Sequence, residues 1–198
     1  MSAVEVRAVS APLPSSSRVV RLVLAAGLVL LGAHLVLNAA AFRLFEARLA
    51  GLVTGAVLDR EVRTMTAQPA FVFERVAGDE STWFALHITS QCSALFFLVP
   101  LALVAAFVLL SGRSTIPTLV VAVLAAGVLL ELVNLARIEA LVLVVVHGDP
   151  SMFRWVHDTV GSAAMLGGFT IALLVFFRLG FFGRRARGRH APEAGGTT

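Results

Sequence analysis

Residues 116–136 read IPTLVVAVLAAGVLLELVNLA, a run whose single charged side chain is Glu131. Coiled as a helix at ~1.5 Å per residue, such a run is about 31 Å long, enough to cross the ~30 Å hydrocarbon core of a bilayer. Three more runs share this character: Leu22 to Phe42, Ser93 to Leu110 and Val160 to Phe177. The sequence therefore predicts an all-α integral membrane protein with about four transmembrane helices. Pro117 suits the first turn of its helix, where a missing N–H costs little, whereas Pro100 should kink the second span.

Composition agrees. Of 198 residues, 58% are hydrophobic and only 14% charged, far from the balance of a soluble domain. All sixteen basic residues are arginine and tyrosine is absent, a bias typical of GC-rich coding. The net charge of +4 does not point to nucleic acid, because the arginines are spread along the chain except for Arg184-Arg185-Ala186-Arg187. That cluster reads as an anchor to anionic membrane lipids. The first apolar run resembles a signal peptide but lacks a clear small-residue cleavage site, so it is taken as a retained helix.

Orientation follows from charge. With the N-terminus in the cytoplasm, nine arginines (7, 18, 21, 113, 178, 184, 185, 187 and 189) face inward against Glu5 and Glu193, while seven arginines and ten acids face outward. This is the positive-inside arrangement, and four spans return the C-terminus to the cytoplasm. The expected organisation is a cytoplasmic segment 1–21, a membrane-embedded domain 22–182 and a basic, disordered cytoplasmic tail 183–198, in the plasma membrane.

The outer segment between the first two spans, Arg43 to Gln91, is too long for a turn. Its first part, to Leu58, carries Phe45, Leu49, Leu52 and Val53 at helical spacing and is expected to lie along the interface. Its second part alternates through Phe71–Val76 and Trp83–Thr89, with Gly78 to Ser81 as a turn and Phe84, Leu86 and Ile88 on one face, which predicts a β-hairpin ending just before Cys92. Ile138 to Val146 is apolar but nine residues long, so it is expected to dip into or lie on the outer leaflet. Gly148-Asp149-Pro150 then turns the chain toward the fourth span.

This topology brings three reactive residues to one depth: Cys92 starts the second span, Arg137 ends the third and His157 starts the fourth. A thiol nucleophile needs a base or cationic neighbours to lower its pKa from ~8.5, and acyl transfer needs a donor for the oxyanion. Each residue alone has a plainer reading: the cysteine as a small buried hydrophobe, the arginine as a snorkelling side chain, the histidine as an interfacial anchor. His87, five residues before Cys92, is an alternative base, and Asn134 shares the Arg137 helix at an offset that suits substrate binding or orientation of the guanidinium. Glu131 is a less secure partner for Arg137. His147 is expected to be solvated and His34 to pack within its helix, and Asp158 is expected to point away from His157.

Gln91-Cys92-Ser93-Ala94, Asn134-Leu135-Ala136-Arg137-Ile138 and His157-Asp158-Thr159-Val160-Gly161 together resemble the three motif blocks of the exosortase/archaeosortase enzymes, in order and in outward placement. The resemblance covers roughly Phe71 to Phe177. Many members have glycine where this chain has Ala94, and many have more spans. It implies a membrane cysteine transpeptidase or protease that recognises exported proteins bearing a C-terminal motif, transmembrane helix and basic cluster. Cys92 would then be the nucleophile, Arg137 the oxyanion or substrate-orienting cation, and His157 the general acid/base. No metal or other cofactor is expected. Two other classes remain in view: a membrane assembly protein whose hairpin binds a partner, and a haem or quinone redox protein, which would need imidazoles facing each other across spans.

Overall fold

In the computed structural model, residues 16–77, 79–148 and 151–182 are described. The expected positions of Gly78, of Asp149-Pro150 and of the basic tail after residue 182 lie outside these. Six α-helices and a three-stranded sheet occur in the order α1 (Ser16–Leu37), α2 (Ala39–Leu58), β1 (Val62–Thr64), β2 (Ala70–Ala77), β3 (Glu80–His87), α3 (Leu95–Leu110), α4 (Ile116–His147), α5 (Met152–Trp155) and α6 (Gly161–Phe177). A 3-10 turn, Ser90–Cys92, precedes α3, and a π-helical turn, Val156–Val160, joins α5 to α6.

Among the described residues, three helical stretches are long and apolar enough to cross a membrane: Arg18–Leu37, Ile116–His147 and Met152–Phe181. The fourth expected span, α3, is also apolar but has 16 residues, about 24 Å of helix. Among the described residues the count by length is therefore about three, with α3 as a shorter apolar helix beside them. The protein is a mostly helical, multi-pass membrane protein with a small open sheet.

Two boundaries differ from expectation. The first span ends at Leu37, and Ala39–Phe42 open α2 after a break at Asn38. The larger correction concerns Ile138–Val146, which is not a separate surface segment: α4 runs unbroken for 32 residues. Ala136-Arg137-Ile138-Glu139-Ala140 interrupts the hydropathy, but each of these residues propagates a helix and no Gly or Pro intervenes. At about 48 Å, α4 exceeds a bilayer's hydrocarbon thickness, so Arg137 lies within it and not at its end.

The extension has a structural use. Ile138, Val142 and Val145 on α4 pack with Phe71, Phe73 and Leu86 of the sheet, with Ile88 just after β3 and with Cys92 in one core, separate from the inter-helix core around Leu101, Leu130 and Phe176. The sheet is antiparallel in the order β1-β2-β3, and Phe71↔Leu86 and Phe73↔Phe84 confirm the expected hairpin face. β1 was not expected; its three residues, Val62-Arg63-Thr64, are too short to show alternation. In α2 the buried face is Glu46, Ala47, Ala50, Gly51 and Thr54, while Phe45 and Leu52 are exposed. Small residues thus meet the protein and large apolar ones face outward, as suits a helix beside lipid.

Gly161 and Gly168 lie seven residues apart, on one stripe of the final helix, and that stripe faces α4. A Cβ on Gly168 would overlap the Val133 side chain, and one on Gly161 would overlap the Arg137 guanidinium. Missing side chains at these two positions let the helices approach closely.

Candidate active site

Cys92 ends the 3-10 turn that β3 feeds into, and His157 sits in the π-helical turn ahead of α6. The two meet directly: Sγ lies 2.8 Å from Nε2. The thiol is buried in the core beneath the sheet, while the imidazole is partly open to the exterior and stacks on Phe153 with ring centroids 6.0 Å apart.

The other imidazole nitrogen, Nδ1, is 2.8 Å from Asp158 Oδ1. This overturns the expectation that Asp158 points away. Side chains one position apart diverge by about 100° on an α-helix, but π winding lowers that angle, and such turns recur at functional sites. With Nδ1–H donated to the carboxylate, Nε2 is left as the acceptor facing the thiol.

Arg137 reaches both halves of the pair. Its Nη1 donates to the Gln91 carbonyl at 2.8 Å and its Nη2 to the His157 carbonyl at 3.1 Å. One planar fork therefore ties the residue before Cys92 to His157 itself, a bridge that a single ammonium cannot make with the same geometry. The Nε edge lies against Gly161, buried and without a hydrogen-bond partner among the described residues.

Asn134, one turn before Arg137, does not face the open site. It is fully buried, and its Nδ2 donates to Glu46 Oε1 at 3.0 Å. The same oxygen accepts the Ala94 N–H at 2.7 Å, one of the free donors at the start of α3. Glu46 thus joins α2, α4 and the backbone two residues after Cys92. Burial pushes its carboxyl up to about 7, a rise opposed by hydrogen bonding to Ser93 and the Ala94 backbone and reinforced by the nearby Glu131. Neither Glu46 nor Gly161 was assigned a role from sequence. An acid sharing a helix face with Ala47, Ala50, Gly51 and Thr54 was the available sign of the first; the glycine was visible only as the last letter of a motif block.

Two cavities flank the set. One, of about 350 Å³, is bounded by the end of β3, Cys92, His157, Leu141 and Phe153. The other, of about 380 Å³, is bounded by Ser90, Gln91, Arg137, Ser162 and Met165. His87 borders the first cavity but forms no hydrogen bond with Cys92 among the described residues. His147 is exposed, and His34 lies on an exposed face of α1, where its carbonyl accepts from Asn38.

A buried thiol in contact with an imidazole whose far nitrogen is held by a carboxylate is an arrangement suited to nucleophilic acyl transfer. Residues 80–177 match the family model described as transmembrane exosortase, a segment that contains Cys92, Arg137 and His157 but not Glu46. No curated protein and no solved structure matches the chain.

Proposed function

The chain belongs to the transmembrane exosortase family, and on that premise we propose that it is a cysteine transpeptidase acting on exported proteins through a thioacyl intermediate on Cys92. The Cys92–His157 contact carries this reading. Membership of the family supports a membrane peptidase or transpeptidase with a protein substrate; the residue roles and the chemistry that follow are our proposal.

Sγ attacks the scissile carbonyl carbon as its proton passes to His157 Nε2. The tetrahedral intermediate collapses with cleavage of the C–N bond, and the departing amine takes that proton from Nε2. The substrate's N-terminal part is left as a thioester on Cys92. An incoming amine then attacks the thioester, giving its proton to Nε2, and the Cys92 sulfur leaves and recovers it. Water in place of the amine makes the reaction a hydrolysis. Asp158 keeps His157 in the competent tautomer and stabilises the imidazolium.

Arg137 acts first as a positioning residue, since one hydrogen on each terminal nitrogen is engaged by a backbone carbonyl. The second hydrogen on each is available to a substrate oxygen from the cavity beside it. Asn134 is reassigned from substrate binding to holding Glu46, which its burial favours. Counting the shorter α3 as a crossing, the charge distribution keeps both termini cytoplasmic and the site opening outward. The substrate is an exported protein ending in a short motif, a transmembrane helix and a basic cluster.

Replacing Cys92 with alanine tests the assignment. The variant should insert normally, and an exported protein retaining its C-terminal helix should accumulate in the membrane. Normal processing by stably inserted Cys92→Ala would overturn it and favour the assembly-protein alternative.

A further inference from the structure

The sheet that leads into Cys92 has an open side. β3 is an outer strand of the three, paired on one edge with β2. Which of its backbone groups are free follows from the ladder. Ile88 donates its N–H to the Pro69 carbonyl at 2.7 Å, continuing the register of Ala70↔His87 and Phe71↔Leu86. On the far side of β2, Met65 donates to the Ala70 carbonyl at 2.9 Å, so Ala70 faces β1 and Phe71 faces β3. Both observations place the even-numbered residues of β3 in hydrogen bonds to β2. Ala85 and His87 therefore turn both N–H and C=O to the open edge, because donor and acceptor of one strand residue point the same way.

Residues Ala85 to Thr89, which include that edge, line the 350 Å³ cavity together with Cys92 and His157. Ile138, Leu141 and Phe153 complete its lining with apolar side chains. A segment seated there would be extended, hydrogen-bonded through its main chain, and delivered to Sγ without a turn.

We propose that the substrate's membrane-proximal segment binds as an added strand on the free edge of β3, parallel to it, with its scissile bond carried into the Cys92–His157 site. The parallel sense follows from chain direction. β3 runs toward the head of α3 and hence toward the membrane, and a substrate segment followed by its own transmembrane helix runs the same way. Main-chain pairing supplies affinity with little dependence on sequence, while every second side chain meets the apolar lining. The occupant is an extended peptide with apolar residues at alternate positions. This inference rests on the transpeptidase reading and adds how the substrate is held.

The wild-type protein has one cysteine, so Cys92→Ala removes every native thiol and accumulates the substrate to be used as the probe. In that background, Ala85→Cys is paired with single cysteines placed at consecutive positions of the accumulated protein's membrane-proximal segment, and oxidation is followed on gels. Disulfides at every second position are expected. Uniform or absent crosslinking, with substrate still accumulating, overturns the added strand but leaves the transpeptidase reading intact. No accumulation in Cys92→Ala overturns both. A second arm keeps Cys92 and changes Ala85 to proline, which removes an edge N–H that β2 does not use and is tolerated on outer strands. The variant should reach wild-type abundance and process about fivefold more slowly or worse, the worth of one net hydrogen bond. Processing at the wild-type rate counts against the proposal.

Discussion

Arg137 Nη1 and Nη2 donate to the carbonyls of Gln91 and His157, so a single guanidinium sets the separation between the strand-derived and helix-derived halves of the site. Cys92 and His157 are contributed by elements 65 residues apart, and this bridge joins their backbones. The arginine's fixed shape matters as much as its charge.

Arg137→Lys should therefore insert normally and lose most activity. An ammonium on a flexible stem cannot hold both carbonyls in one plane, nor offer a further N–H at a defined place. Losing a well-placed donor slows acyl transfer about 100- to 1000-fold. Processing rates at equal membrane abundance, with the exposed Arg60→Lys as control, measure this. A rate within a few-fold of wild type would remove Arg137 from the machinery.

Gly161→Ala should reproduce much of that loss without touching a reactive group. The new Cβ would overlap Arg137 Nε, so either the guanidinium or the helix must shift. Displacement by about 1 Å can cost on the order of 100-fold in rate. Gly167→Ala is the matched control, since nothing lies within 4 Å of a Cβ there. Equal activity in the two variants would show that the close approach is dispensable.

These two residues also mark how far sequence could lead. The apolar runs and the hairpin face were legible, because hydropathy and alternation report directly on which surfaces leave water; the span boundaries put Cys92 and His157 at one depth, but their direct contact is a tertiary fact. The continuity of α4 was not, since Arg137 and Glu139 break the apolar pattern while leaving the helix intact. Asp158 was misplaced because α-helical angles do not apply in a π turn. Glu46 and Gly161 act through tertiary contacts to α4, and a helix-by-helix reading holds no information about a partner 88 residues away.

Glu46 should make stability depend on pH. Its folded-state value of about 7 lies above the ordinary 4.5, so the folded protein holds this proton more tightly than the unfolded chain. The resulting stabilisation, roughly 3 kcal/mol, is fully present below about 4.5 and is lost as pH rises through about 7. Thermal unfolding in detergent micelles should show Tm falling across that window. Glu46→Gln keeps an acceptor for Ala94 and cannot ionise, so its Tm should change much less. Identical pH slopes would rule out Glu46 as the source.

A thioester on Cys92 can be intercepted by hydroxylamine, an amine that attacks thioesters readily and amides hardly at all. Membranes containing the wild-type protein and the substrate that accumulates in Cys92→Ala cells are incubated with hydroxylamine, and the released product is analysed by mass spectrometry. A product ending in a C-terminal hydroxamate is expected with wild type and none with Cys92→Ala. Release as free acid alone by the wild type, or hydroxamate formation by Cys92→Ala, would contradict it.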